Sequence, residues 1–182
     1  MTANAGITAL VLRVSAAIVA TVALIAAVTL VGFAGPARDW LGFTFPGVPA
    51  TVEEVWEIFV SNARIALVVL AASFAVNAPW LMAGDAAEPG WRWRCGRLLL
   101  DVVLGCGALF NLVIVGSALG GYGVRMAVAI LPHGPFELLA FSSVLALYLR
   151  ARRGPVPRRT AALLSGASAG LLLLGATAEV LP

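Results

Sequence analysis

The chain alternates between long apolar blocks and short polar or Gly/Pro-rich segments, and this pattern predicts membrane-spanning helices. Each block holds roughly 20 predominantly apolar residues, enough for a helix to cross the hydrocarbon core of a bilayer. A helix on a water-soluble protein would show a narrower apolar stripe with helical periodicity. We therefore predict an all-α integral membrane protein, a single domain over residues 1–182, with spans at about 14–34, 61–82, 98–119, 125–149 and 160–178.

Two prolines interrupt the fourth block, in the sequence Leu131-Pro132-His133-Gly134-Pro135. Proline donates no backbone hydrogen bond, and its ring clashes with the preceding turn of a helix. The fourth span is therefore predicted to consist of two pieces, 125–131 and 136–149, or of a short re-entrant entry into one span.

The segments between the first three blocks are predicted to be loops. Gly35-Pro36 is expected to end the first span. Residues 35–50 should then form an ordered loop at headgroup level, where aromatic side chains such as Trp40, Phe43 and Phe45 are favoured. A polar loop is predicted over residues 83–97.

Residues 51–60 have the pattern of a short amphipathic helix. Thr51 and Glu54 have the spacing of a capping box. One face of this helix would be apolar and the other acidic. The apolar face would contain Val52, Val55, Trp56, Phe59 and Val60, and the acidic face Glu53, Glu54 and Glu57. Such a helix can lie in the membrane interface. The alternative is that these residues are a solvated leader into the second span.

Composition agrees with a membrane protein and changes how the charge is interpreted. Hydrophobic residues make up 61% of the chain and charged residues only 12%, against about 25% charged in soluble domains. The net charge of +3 comes from arginines lying between apolar blocks. These arginines therefore predict topology in a bilayer and no nucleic-acid partner.

The arginines favour a cytoplasmic N-terminus and an external C-terminus, since cytoplasmic loops collect basic residues. This orientation leaves Arg38, Arg64 and Arg125 toward the outside and the other nine inside, namely Arg13, Arg92, Arg94, Arg97, Arg150, Arg152, Arg153, Arg158 and Arg159. The predicted location is the bacterial cytoplasmic (inner) membrane, with multiple passes.

Charged residues inside spans cost about 2.5–3.5 kcal/mol each on insertion scales, so each requires a partner. Arg64 and Glu137 have opposite signs and fall near the outer ends of the second and fourth spans. We predict that they pair, with Asn62 and His133 completing a polar cluster beside Gly134. The cluster either locks two spans together or has an acid–base or ligand-gating role.

Two further contacts are predicted from spacing. Arg97 and Asp101 are four residues apart near the inner end of the third span, which favours an ion pair on one helix. Gly166 and Gly170 form a GxxxG pattern in the fifth span. That pattern suits close helix packing, either within the chain or between protomers.

The sequence predicts no metal site, no cofactor and no catalytic residue. A zinc site needs three or four ligands, and the chain has one histidine. His133, Glu137 and Glu57 would supply three ligands only by coincidence. HGPFE also lacks the second histidine of an HExxH helix, and no serine has a nucleophile-elbow context.

Two segments resemble the stage II sporulation protein M family of membrane proteins. LPHGPFELLAF, residues 131–141, is similar to the family's LPHG-x-x-E signature, and FVSNARIALVVL, residues 59–70, is similar to its Asn/Arg entry into the second span. The resemblance covers roughly residues 50–150, including the acidic outer segment and the basic loop. The chain departs from the pattern at Pro135 and Ser61.

The resemblance implies a mostly non-enzymatic role. Founding members recruit peptidoglycan-degrading enzymes at the engulfing membrane of sporulating bacteria, and relatives accompany bacteriocin immunity, transport or ATPase genes. We therefore expect a scaffold that binds a protein partner or another copy of itself. Its docking surface would comprise the LPHG region with Glu53, Glu54, Trp56 and Glu57. The alternatives are a transport component and, less favoured, an intramembrane hydrolase.

Overall fold

The protein is all-helical in the part of the chain that the structure describes. The computed structural model describes residues 2–44, 50–83 and 91–181, with side chains other than those at 2–5, 79–83 and 92. Within these ranges it has seven helices and no strand, namely α1 (Thr2–Gly32), α2 (Ala34–Leu41), α3 (Val52–Ala83), α4 (Trp91–Tyr122), α5 (Val124–Ile130), α6 (Gly134–Ala151) and α7 (Arg158–Val180).

Four single helices, α1, α3, α4 and α7, are long and apolar enough to cross a membrane. The pair α5 and α6 passes the same test together and is bent by 68° at the intervening break. The predicted membrane class and the broken fourth span are therefore confirmed. Pro135 lies in the first turn of α6, where a missing N–H leaves no helical hydrogen bond unmade.

Helix α6 is the centre of the arrangement, because it contacts α1, α3 and α7. On one side, α3, α6 and α7 pack against one another. On the other side, α1 packs along α4, and α2 lies against α4. These two groups of helices meet mainly through the contact between α1 and α6.

The contact between α1 and α4 depends on two glycines of α4. A Cβ at Gly116 would lie 2.7 Å from the Ile25 Cβ, and a Cβ at Gly120 would lie 2.5 Å from the Ala26 carbonyl oxygen. Gly116 and Gly120 therefore allow the two backbones to approach closely, as small residues do at membrane helix interfaces. The GxxxG pattern predicted in α7 is not used in this way, since a Cβ at Gly166 or Gly170 would meet no atom within 4 Å.

The predicted interfacial helix over 51–60 is wrong as a separate element. These residues form the first turns of α3, which continues without a break to Ala83. The predicted cap is present in part, because the Glu54 N–H donates to the Thr51 Oγ1 at 3.2 Å. No glycine or proline occurs between Val52 and Ala78, so nothing in the sequence turns the helix into the plane of the membrane.

Two predicted loops are shorter than expected. Residues 35–41, predicted to be loop, belong to α2. The end of α2 is fixed to α4 by the Phe43 N–H, which donates to the Tyr122 hydroxyl at 2.9 Å. Helix α4 already begins at Trp91, inside the predicted loop 83–97. Residues 45–49, with Phe45, and residues 84–90 lie outside the described residues.

The predicted pair between Arg97 and Asp101 is replaced by contacts between helices. Asp101 accepts hydrogen bonds from the Arg152 Nε at 2.8 Å and from the Tyr148 hydroxyl at 2.6 Å, and it also pairs with the Arg152 Nη2. The Arg97 Nη2 donates to the Arg152 carbonyl oxygen at 2.6 Å. That carbonyl lies at the end of α6, where helices leave acceptors unsatisfied, so Arg97 finds a better partner there than on its own helix.

Candidate functional site

The break between α5 and α6 places two motif residues at the start of α6. His133 is the residue before the helix, and Glu137 lies in its first turn. The His133 carbonyl accepts from the Phe136 and Glu137 N–H groups at 3.0 and 3.2 Å. Gly134 fits tightly beside α5, because a Cβ there would lie 2.5 Å from the Ile130 Cγ2. Pro132 and Gly134 thus shape a turn that holds His133 and Glu137 on one side of α6.

Helix α7 brings a second carboxylate, Glu179, to the same place. The side chains of His133, Glu137 and Glu179 offer one ligand atom each, and these atoms all lie within 4.8 Å of one another. One turn before Glu179, a Cβ at Gly175 would be 3.3 Å from the Glu137 Cγ. Gly175 therefore lets α7 approach α6 closely enough for the two carboxylates to meet.

Helix α3 contributes Asn62, whose Nδ2 donates to the Glu137 Oε1 at 2.5 Å. The predicted closeness of Asn62, His133 and Glu137 is therefore present. We call Asn62, His133, Glu137 and Glu179 the polar centre. It is built from α3, α6 and α7, and all four side chains are partly buried.

The predicted ion pair between Arg64 and Glu137 is wrong. Arg64 is exposed, and no described carboxylate lies within ion-pair distance of its guanidinium group, whereas Glu137 is held by Asn62. Positions 62 and 64 point about 200° apart on a helix, so α3 cannot direct both side chains at α6. A long arginine side chain on the outer face can extend toward the headgroups instead.

An apolar cluster closes the polar centre on the side toward the middle of α6. Its buried members are Ala66, Ala140, Val144 and Leu172, packed against Phe59 and Phe141 among others. In these surroundings the His133 Nδ1 is buried and has no hydrogen-bond partner among the described residues. Burying a polar nitrogen without a partner is unfavourable, so the His133 Nδ1 would gain from a hydrogen bond or a ligand.

Glu179 is the member that the sequence prediction missed. Only the predicted external C-terminus, close to Glu179 in the sequence, placed it on the same side of the membrane as Glu137. The third ligand considered from sequence, Glu57, is exposed and lies outside the group. Glu137 and Glu179 are far apart in the sequence, so residue spacing does not predict their contact. The contact depends on the close packing of α7 against α6 at Gly175.

The residues of the predicted docking surface lie on the first turns of α3, at the same end of the bundle as the polar centre. Glu53, Trp56 and Glu57 are exposed, with 60% of Trp56 accessible, and Glu54 is partly buried. The Trp56 and Phe59 rings lie 5.5 Å apart. These positions leave an acidic and aromatic surface uncovered by the described part of the chain.

Three serines of the bundle use their hydroxyl groups in hydrogen bonds to backbone carbonyl oxygens. Ser73 and Ser143 donate to the carbonyl oxygens of Val69 and Leu139, one turn earlier on their own helices, and Ser168 donates to the Ala140 carbonyl. Hydroxyls used in this way serve helix packing.

Comparisons with known proteins leave the chain without an assigned family. No protein-family model, no curated protein and no solved structure matches it. The firm conclusion from the sequence and the fold together is that the chain is a multi-pass helical membrane protein.

Proposed function

We propose that the protein is a non-catalytic membrane subunit that binds a membrane-spanning helix of a different protein. The observation that carries this proposal is the exposed middle of α4, residues 105–111. In the most apolar stretch of α4 no residue is buried, although the same helix packs tightly on α1 further along, at Gly116 and Gly120. All residues from 105 to 111, in the middle of this membrane-spanning helix, are exposed and are not covered by the described part of the chain.

The uncovered middle of α4 has the chemistry of a helix-packing surface. Asn111 is exposed, and its Nδ2 donates to the Gly107 carbonyl of its own helix at 2.9 Å. Gly107 has open space where a Cβ would be, and Ala108 is exposed. Small residues allow close approach of helices in lipid, and an asparagine gains from hydrogen bonding across them. A partner helix carrying a polar side chain fits this surface better than lipid does.

The resemblance to the stage II sporulation protein M family supports a partner-binding role. Its two motif segments meet in space, since Asn62 of the second-span motif binds Glu137 of the LPHG-x-x-E motif. We propose that the chain is a bacterial cytoplasmic-membrane protein of this type. The acidic first turns of α3, Glu53 to Glu57, would then be a second contact for the partner outside the bilayer.

Photo-crosslinking in the native membrane tests the proposal. A photoreactive amino acid at Ala108 is expected to give a crosslink to one distinct protein. The matched control is the same amino acid at Leu24 of α1, which is 66% exposed and should react with lipid. Crosslinks at Ala108 only to lipid, or only to a second copy of this chain, would contradict the proposal.

A transport component is the second candidate, favoured by the bent pair α5 and α6. A helix broken beside polar side chains is typical of substrate sites in transporters, and the 68° bend lies at His133. A thiol placed at His133, with Cys95 and Cys106 changed to serine, discriminates the two functions. Reaction with water-soluble reagents from both sides of the membrane supports transport, and reaction from one side or neither opposes it.

A further inference from the structure

We propose that the polar centre is a binding site for one divalent transition-metal ion, with His133, Glu137 and Glu179 as ligands. This proposal is independent of the partner-binding function. The three ligand atoms lie within 4.8 Å of one another. In a tetrahedral zinc site the ligand atoms lie about 3.4 Å apart, so a contraction of at most roughly 1.4 Å is needed, which side-chain rotation of two glutamates can supply.

Charge is the first reason to expect a cation here. As metal ligands the two carboxylates would be ionised and the imidazole neutral, so together they would contribute two negative charges. The three side chains lie beside the apolar cluster around Ala140 and Leu172. Arg64, the cation predicted to pair with Glu137, is exposed on another face of α3. A divalent ion would neutralise the group, as buried charges require.

The hydrogen bonding of His133 and Glu137 is the second reason to expect a metal ion. The His133 Nδ1 is buried and has no hydrogen-bond partner in the part of the chain that the structure describes, so a metal ion or a rearranged carboxylate would provide an interaction that the imidazole lacks there. The Asn62 amide already holds one oxygen of Glu137. Such a bond orients a carboxylate and leaves its second oxygen for the ion, as partners of metal ligands commonly do.

The ligand set indicates the class of metal. One imidazole nitrogen with two carboxylate oxygens suits borderline ions such as Zn²⁺, Mn²⁺ or Fe²⁺ better than Ca²⁺, which prefers six to eight oxygens. Three protein ligands also leave a coordination position for water. The ion would join α6 to α7 directly, and α3 through Asn62.

The test uses the full-length protein in phosphatidylcholine nanodiscs, stripped with a chelator and titrated with Zn²⁺ in a calorimeter. The expected result is one Zn²⁺ per chain, with affinity at least about tenfold weaker in Glu179→Gln and in His133→Gln. Glu57→Gln, an exposed carboxylate on the same side of the bundle, is the matched control and should bind as the wild type does.

X-ray absorption of the zinc-loaded wild type provides a second measurement that needs no variant. The expected first shell contains one imidazole nitrogen with oxygen ligands and no sulfur. Absence of saturable binding, a sulfur ligand from Cys95 or Cys106, or full affinity in Glu179→Gln would each overturn the proposal.

Discussion

At the scale of single residues, Asp101 makes three side-chain contacts with the C-terminal end of α6. It joins α4 to α6 by accepting from Tyr148 and from Arg152. Both donors come from the last turns of α6, so one carboxylate fixes the end of the central helix to α4. The Arg97 side chain adds a hydrogen bond to the Arg152 carbonyl at the same end.

Replacing Asp101 by asparagine should therefore destabilise the protein. The change removes the charge that pairs with Arg152, and we expect a loss of about 1–3 kcal/mol in the free energy of unfolding, the range for hydrogen bonds involving charged groups. Equilibrium unfolding in mixed micelles measures it. Asp39→Asn, on the exposed surface of α2, is the control and should change the value by less than about 0.5 kcal/mol. Equal effects of the two substitutions would contradict the assignment.

Which charged side chains meet could be predicted from the sequence only in part. The sequence placed Asn62, His133 and Glu137 together, because they lie near the ends of two neighbouring spans. Arg64 was included in the predicted cluster only because its charge is opposite to that of Glu137. Helical geometry turns positions 62 and 64 to different faces of α3. The sequence paired Arg97 with Asp101 by spacing within one helix, whereas the structure gives both residues partners on α6. Partners on other helices depend on packing that spacing does not reveal.

At the scale of helices, glycines decide where backbones approach. Gly116 and Gly120 on α4 face α1 at distances that exclude a Cβ without movement of the neighbours. Gly166 and Gly170 on α7 have the same spacing and face open space. The pattern alone therefore cannot tell a used glycine pair from an unused one, because the neighbour is supplied by the fold.

A leucine at Gly120 should separate α1 from α4. We expect a loss of at least about 1–3 kcal/mol in the free energy of unfolding, as for overpacking of a close contact. Thermal unfolding in nanodiscs compares the melting temperatures of the wild type and the variant. Leucine at Gly166 is the matched control, and its melting temperature should stay near that of the wild type. A larger loss at Gly166 than at Gly120 would show that α7 uses its glycines in packing.

The helices themselves were largely predictable, and their ends were not. Long apolar blocks and the two prolines gave the spans and the break, since these follow from hydropathy and from the missing proline N–H. The short helix α2 was missed. Helix α3 continues back to Val52, which agrees with the alternative of a leader into the second span and not with the separate interfacial helix. In both segments the side-chain pattern was consistent with either a helix or another local structure. Contacts with neighbouring helices determine which of these forms in the folded protein.

At the scale of the whole molecule, the arginines predict which end of the bundle faces the cytoplasm. The end with Arg152 and the basic segment 150–159 should be inside, and the end with the polar centre outside. In a Cys106→Ser background, a membrane-impermeant thiol reagent should label Cys95 only after permeabilisation. A cysteine at Glu53 in the same background, with Cys95 changed to serine, should be labelled in intact cells. The reverse pattern would contradict the orientation.

The central claim is that side chains from α3, α6 and α7 form one polar centre, in which Asn62 and not Arg64 holds Glu137. A double-mutant cycle in the free energy of unfolding tests it most directly, using alanine at positions 62, 64 and 137. The account predicts a coupling of about 0.6–2 kcal/mol between Asn62 and Glu137, and a coupling near zero between Arg64 and Glu137. Coupling of Glu137 to Arg64, with none to Asn62, would contradict it.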